Sequence, residues 1–523
     1  MPGVAIESPE VADLTLRQRW KHFNGKLFFL MFYMAACAFN YGYDVGLFGG
    51  VQGLHSFTSI FGVCDDDDVC ALPGWLSSVI TATPFLGKAL GCIFAGWFAE
   101  KRGRKAALVA LCIASFVGGI LQTSSISSVA QFTLGRIITY SMTGMAIVLV
   151  PIYQAETTPK ELRGMFGSTI QLTIVFGQVV SSLITFGTKN IASTAGWRIP
   201  IGLQLVTPTV ILALLPLVPE SPRWLLSQDR REDAFKSLKR LRKHASDDDV
   251  EEEIEALTFT RNNEDKGTWP EVFDSSNRVR TMVAVLAMFG QQITGQAFPS
   301  QYGVIFYQQQ GFKQQAFLFN VVSNIIALVA VFFTWSFVDQ IGRRPVLMTG
   351  GFFMGFWLFV LGGLGTIPSA DLTQNLKGLE VSSLILFSLF YNLSWAPISY
   401  VVVSEAARLR MKEKTNLLAC VISVLTTFAT SFSTPYLINP QYANLGAKVG
   451  FIYGSFNIVM VILTFFFIPE MKGRTLEEVD QLFDSGVSLR KFGTVKTKTA
   501  TALYEEEIDR NALVVPKASS PRV

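Results

Sequence analysis

The chain has 523 residues, 50% of them hydrophobic and 16% charged, with a net charge of +4 and a mean hydropathy of +0.37. Apolar residues fall in long runs, which excludes an ordinary soluble domain and places the chain in lipid. The small positive charge reflects where lysines and arginines sit along the chain and gives no reason to expect a nucleic-acid partner.

Residues 1–26 lack the short apolar core and cleavage site of a secretory signal, so the first span is expected to direct insertion. Windows of roughly 20 apolar residues, enough to cross about 30 Å of hydrocarbon, lie at 27–50, 75–99, 106–124, 130–153, 166–187 and 199–218. Six more lie at 281–308, 316–338, 346–366, 380–403, 416–437 and 450–468. These windows are too long for barrel strands, and lipid admits only helices or closed barrels, so the prediction is an all-α membrane protein with twelve transmembrane helices. Segment 220–280 turns polar and reads as a linker with amphipathic helices at 230–241 and 247–257, either a plain joint or a clamp between halves. The expected division is an N-terminal segment 1–26, a six-helix bundle 27–219, the linker 220–280, a second bundle 281–470 and a tail 471–523, disordered after about 485.

Charged phrases recur in the same order in both halves. Glu100-Lys-Arg-Gly-Arg-Lys105, Glu156 with Arg163-Gly164, and Pro219-Glu-Ser-Pro-Arg223 occupy the first half. Asp339-Gln-Ile-Gly-Arg-Arg344, Glu405 with Arg410, and Pro469-Glu-Met-Lys-Gly-Arg474 answer in the second. Their spacing is nearly constant, so a duplicated unit is the reading, as in many transporters. Loops following even-numbered spans carry most of the lysines and arginines, among them Lys101, Arg104, Lys105, Arg343, Arg344 and Arg410. The positive-inside rule then places both termini and the linker in the cytosol. Cys64 and Cys70 flank Asp65–Asp68 in the first outward loop, where a disulfide is plausible chemistry; Cys37, Cys92, Cys112 and Cys420 lie in spans and read as small apolar residues. His22, His55 and His244 lie in termini or loops and no nucleotide-binding phrase occurs, so an enzyme is not expected. No cofactor or metal is expected either.

Taken together, the paired loops, Pro-Glu-Ser-Pro-Arg after span 6, Gln291-Gln292 in span 7 and Pro469-Glu-Met-Lys-Gly-Arg-Thr-Leu-Glu-Glu478 after span 12 resemble the sugar porter family of the major facilitator superfamily. The resemblance implies two pseudo-symmetric six-helix bundles that rock around one substrate site by alternating access. Acid and base stand together at cytosolic helix ends, which makes Arg104, Glu156, Arg163, Arg343, Arg344, Glu405 and Arg410 gate candidates. Their pairs are expected to form across the two bundles when the inner side shuts. Topology alone also accounts for these charges.

Ionisable groups within spans are costly and so functional by default. Asp44 stands where proton-coupled family members carry an aspartate, and Arg136 matches the arginine the family pairs with it. A carboxylate that gains and loses an arginine partner couples proton binding to conformation. Lys88 departs from the family pattern and lies thirteen residues from Lys101, about 20 Å of helix. Three readings stay open for it: a second partner for Asp44, a ligand for an anionic substrate, or a lysine directed to the outer surface or the cavity. Gln171 and Gln178 share a helix face at i, i+7, and Gln291, Gln292 and Gln296 supply further amides, whose paired donors and acceptors suit sugar hydroxyls. By resemblance Gln171, Gln178, Gln291 and Gln292 match sugar-binding glutamines and Tyr302 a gating tyrosine. Departures fall at Ala297, in place of an asparagine, and at Tyr400, in place of a tryptophan. Asn392 stands at a polar position, and Phe428 falls near a cavity tryptophan.

The expected function is proton-coupled import of a sugar or related polyhydroxy compound through a multi-pass protein of the plasma membrane, with substrate, protons and the lipid bilayer as partners. The alternatives are a facilitative carrier or exporter of a non-sugar metabolite, and a transporter-like sugar sensor.

Overall fold

The computed structural model describes residues 25–495 apart from 65, 67–69, 159–162, 243–245, 264–266, 276, 314, 369–370 and 475; the side chains of 163–168, 259–263, 335–339, 409 and 476–477 also lie outside the description. The first half contains span 1 (Gly25–Val51), span 2 (Gly74–Arg102), span 3 (Arg104–Thr123), span 4 (Val129–Thr157), span 5 (Arg163–Thr188) and span 6 (Ala195–Leu203 continuing as Val206–Leu214). The second contains span 7 (Arg278–Ile293 and Ala297–Gln309), span 8 (Ala316–Ile341), span 9 (Arg343–Leu364), span 10 (Gln374–Leu393 and Trp395–Ala406), span 11 (Lys412–Ile438) and span 12 (Val449–Phe467). Between spans 1 and 2 a short helix, His55–Phe61, leads into a two-residue antiparallel pairing of Val63–Cys64 with Cys70–Ala71.

Among the described residues, ten of these helical units are long and apolar enough to cross a membrane by composition alone. The remaining two fall short for physical reasons. Span 1 carries Asn40, Asp44 and the tyrosines 33, 41 and 43. Span 7 is broken at Thr294–Gln296, where Gly295 takes φ +99°, and span 10 is broken at Ser394.

A broken helix in lipid must find partners for the carbonyls it frees. Here neighbouring side chains supply them. The Gln291 amide donates to Ala396 O at 2.8 Å, Asn457 donates to Thr294 O at 3.0 Å, and Thr334 donates to Leu393 O at 3.1 Å. The breaks in spans 7 and 10 are thus tied to one another.

The duplicated phrases form two equivalent clusters at one end of the molecule, the charged end. Gly103 at φ +94° and Gly342 at φ +106° take the turn into spans 3 and 9 with a backbone that residues bearing a Cβ rarely adopt. In the first cluster Glu220 accepts from the backbone N–H groups of Arg104 (3.0 Å) and Lys105 (3.1 Å). Glu470 does the same for Arg343 and Arg344, both at 3.0 Å. Each glutamate therefore caps orphan N–H groups at the positive end of a helix. Arg104 then grips Glu156 through two nitrogens, at 2.9 and 2.6 Å, and Arg343 grips Glu405 at 3.1 and 2.8 Å.

In this conformation Arg104–Glu156 and Arg343–Glu405 each close within one half, whereas the expected pairs across the bundles belong to a state with the inner side shut. A tight Gly-Arg loop puts the arginine on the first turn of its helix, next to the span of the same half that ends beside it. Arg344 donates to Phe465 O and lies over the Phe465 ring, and Arg410 reaches Glu271 of the segment before span 7 at 3.3 Å. The side chain of Arg163 lies outside the described residues.

The linker forms helices Pro222–Ser227, Arg231–Leu241 and Asp247–Asn263. Its apolar face, Trp224, Leu225, Leu226, Ala234, Leu238, Val250 and Ile254, closes a small core of its own, and Trp224 Nε1 donates to Glu100 O at 2.8 Å. A helix at Leu476–Asp484 follows span 12. Expected disorder from about 485 does not hold through 495: Phe492 is fully buried and packs edge-on against Phe483, 4.9 Å between ring centroids. One aromatic with a neighbour to cover suffices to fold that stretch back.

Candidate functional site

The two halves meet along span 2 with span 11, span 5 with span 8, and span 1 with the second part of span 7. Between them lies a cavity of about 140 Å³. Its walls include Gln171 and Gln178 of span 5, Gln291, Gln292 and Gln296 of span 7, and Asn392 and Tyr400 of span 10. Seven of the nine residues named from the sequence for substrate binding thus share one cavity. Gln292 donates to Gln291 Oε1 at 2.9 Å, while Gln296 Oε1 is buried and accepts no hydrogen bond.

Tyr302 and Phe428 are not in that wall. Tyr302 is 1% exposed and donates to Ser431 O at 2.7 Å, because the turn at Gly295 rotates the second part of span 7 and brings Ser300 and Gln301 to the cavity instead. Phe428 packs with Phe85 and Tyr140. Sequence reasoning also missed Asn320 and Asn324 of span 8, which face the cavity with Ser388, Tyr391 and Thr427. Asn320 and Asn324 stand at i, i+4, a same-face spacing like that of Gln171 and Gln178.

Asp44 lies just behind the wall that Val45 and Gly46 provide. It is 1% exposed, and neither carboxyl oxygen has a hydrogen-bond partner. Arg136, also 1% exposed, directs its guanidinium elsewhere: Nε donates to Ile80 O at 3.1 Å, Nη2 donates to Tyr140 Oη at 3.3 Å, and the group lies 3.8 Å from the Phe48 ring centre. No ion pair or hydrogen bond joins the two residues expected as a pair among the described contacts. Lys88 does not bond Asp44 either; it lines the cavity, donating to Tyr41 Oη at 3.1 Å with the ammonium 4.9 Å from the Tyr41 ring centre.

Away from the charged end, the halves touch along a seam of neutral groups. Gln52, just past span 1, donates to Gln301 O and accepts from Ser77 at 3.2 Å. Gln308 donates to Gly53 O at 2.9 Å, and Ser78 donates to Phe432 O at 2.9 Å. Gly49 allows this approach: a Cβ there would sit 2.5 Å from Ser300 O. The loop between spans 1 and 2 is closed by a Cys64–Cys70 disulfide.

Two six-helix halves, helices broken at the cavity wall, and one polar cavity between them define a carrier of the major facilitator fold. The search of solved structures agrees: the xylose transporter XylE of E. coli, in a partially occluded inward-open form, superposes with a TM-score of 0.72 at 21% identity, covering 86% of this chain and all of that one. At that identity the likeness establishes the fold alone. The family model described as "Sugar (and other) transporter" matches residues 30–483. Curated relatives include the high-affinity glucose transporter ght2 of Schizosaccharomyces pombe, 28% identical over 477 residues (89% of each chain). Another is the high-affinity hexose transporter HXT6 of Saccharomyces cerevisiae, 31% identical over 466 residues, 86% of this chain and 80% of that one. The chain belongs to the sugar porter family of the major facilitator superfamily and is a carrier, not an enzyme.

Proposed function

We propose that this protein imports a sugar or related polyhydroxy compound together with protons, by alternating access around the central cavity. The observation that carries the coupling is Asp44, a carboxyl buried against the cavity wall with no donor, beside an arginine held by other groups. A buried bare charge is costly. Either a proton on Asp44 or a swing of Arg136 onto it removes that cost, so the carrier alternates between a protonated form and an ion-paired form. XylE of E. coli, which shares this fold, is a proton:xylose symporter, and that supports the reading.

The amides lining the cavity offer donors and acceptors to a ring of hydroxyls. Orientation follows from the basic loops, which place the charged end and both termini in the cytosol, and the proposed location is the plasma membrane. With the opposite seam closed, the described conformation is then the one that faces inward. Arg104, Glu156, Arg163, Arg343, Arg344, Glu405 and Arg410 would serve as braces of the two rocking bodies at that end.

The test is uptake by proteoliposomes of a panel of labelled sugars, polyols and organic acids with an imposed pH gradient. A one-proton symporter accumulates substrate about tenfold per pH unit. Asp44→Asn should abolish that accumulation and leave exchange intact. Unchanged uphill uptake by the variant would refute the coupling, and flux indifferent to the gradient in the parent would indicate a facilitative carrier.

A further inference from the structure

We infer that the substrate of this cavity is an anionic polyhydroxy compound, a sugar acid bearing one carboxylate, and that Lys88 is the residue that selects it. The inference rests on the carrier reading above and deepens it by naming the substrate class.

Among the described residues lining the cavity, Lys88 is the one with a charged side chain. Its ammonium uses a single described hydrogen bond, to the neutral Tyr41 hydroxyl, so two of its three donors remain for a ligand. Among the described ion pairs none joins Lys88 to a carboxylate; Asp44, the acid nearest in sequence to the cavity wall, makes no hydrogen bond at all. The ammonium lies about 20 Å of helix rise from the basic loop, too deep to reach the headgroups, and a substrate that fills the cavity displaces the water around it, so a bound ligand without a counter-charge leaves it costly. A substrate carboxylate supplies that counter-charge when it binds.

The remaining wall fits the rest of such a molecule. Gln171, Gln292, Gln296, Asn320 and Asn324 are neutral amides, suited to hydroxyls, while a single ammonium suits a single negative charge. A phosphoryl dianion would leave one charge uncompensated, because Arg136 is committed behind the wall to Ile80 O and Tyr140. A neutral hexose would leave the ammonium uncompensated. Cargo of this class also balances the proposed cycle: one proton carried with one monoanion moves no net charge.

D-glucose and D-glucuronate differ only at C6, hydroxymethyl against carboxylate, and so isolate the charge. The full chain in proteoliposomes should take up labelled glucuronate at least about tenfold more efficiently than glucose, the weight of a charge-assisted hydrogen bond. Lys88→Gln should collapse or reverse that ratio, and Lys88→Arg should keep it, which separates loss of charge from misfolding. A parent that prefers glucose, with a glucose-to-glucuronate ratio unchanged in Lys88→Gln, would overturn the inference and leave the carrier reading standing. If neither probe, nor any sugar or polyol of the panel, enters above the leak of empty liposomes, the carrier reading and the inference fall together.

Discussion

Gly49→Ala is the sharpest test of the seam between the halves. The added Cβ would lie 2.5 Å from Ser300 O and 3.5 Å from Gln301 O, where ordinary contact begins at 3.4 Å. Spans 1 and 7 must therefore part by about 0.9 Å at this point, and the obstacle is a backbone carbonyl with no rotamer to escape into. Overpacking of this kind costs about 1–3 kcal/mol, and it is felt only while the seam is shut. Alanine also gains about 1 kcal/mol of helix propensity, but span 1 is helical whichever way the carrier faces, so that gain cancels from the ratio of states. The net shift favours the form open on this face by roughly 5- to 150-fold. Val304, 1% exposed and directly opposite Gly53, reports the change: with Val304→Cys and Cys420→Ser, a membrane-impermeant maleimide added from this side should react at least about fivefold faster once Gly49→Ala is introduced. Equal labelling rates would show that the face does not open along this seam.

Two further outcomes follow from the duplicated clusters and the first loop. Glu220→Ala and Glu470→Ala each strip the acceptor from two N–H groups at a helix start, which costs about 0.5–2 kcal/mol. Thermal melts of the purified carrier should show both variants lowered by similar amounts, and a melting temperature equal to that of the parent in either would contradict the capping role. The Cys64–Cys70 bond closes a short loop, for which chain entropy gives about 2 kcal/mol; reductant, or Cys64→Ser with Cys70→Ser, should lower the melting temperature, and an unchanged melting temperature would contradict this constraint.

The twelve spans were legible because lipid demands long apolar runs, and the structure's bounds differ from the sequence windows by a few residues at most ends. The breaks were not legible. Thr294-Gly295-Gln296 interrupts span 7 within a stretch whose composition stays compatible with a helix, and what makes the break tolerable is supplied by residues far away in sequence, Asn457 and the carbonyls around Trp395. That break decides which face of the following helix meets the cavity. It explains why Gln301 lines the wall while Tyr302, one position on, is buried against Ser431. The amides of spans 5 and 7 could be read from type and depth, and Asn320 and Asn324 carried the same signal unread. Glu220 and Glu470 stood in the repeated phrases, but a sequence does not say whether a glutamate beside an arginine pairs with its side chain or with the backbone of the next helix.

The two ends of the carrier are held by different chemistry, and that difference bears on how it moves. At the charged end each arginine–glutamate grip closes within its own half, so rocking leaves those clusters intact. At the seam, three hydrogen bonds cross between the halves, from Gln52, Gln308 and Ser78; at about 0.5–1.5 kcal/mol each they sum to a few kcal/mol, the scale that separates two populated conformations. Span 1 connects this seam to the proposed proton site. Gly49 is five residues from Asp44, about 7.5 Å of helix rise, and Tyr41, the partner of Lys88, lies on the same helix one turn away. A shift of span 1 within its own half, beyond rigid rocking, would move Asp44 relative to Arg136, which donates to Ile80 O of span 2. The proposed proton site at Asp44 and the seam at Gly49 therefore share one helix, and the proposed substrate contact, Lys88 of span 2, is joined to that helix through Tyr41, so binding at one would change the work required at the others without a long relay between them.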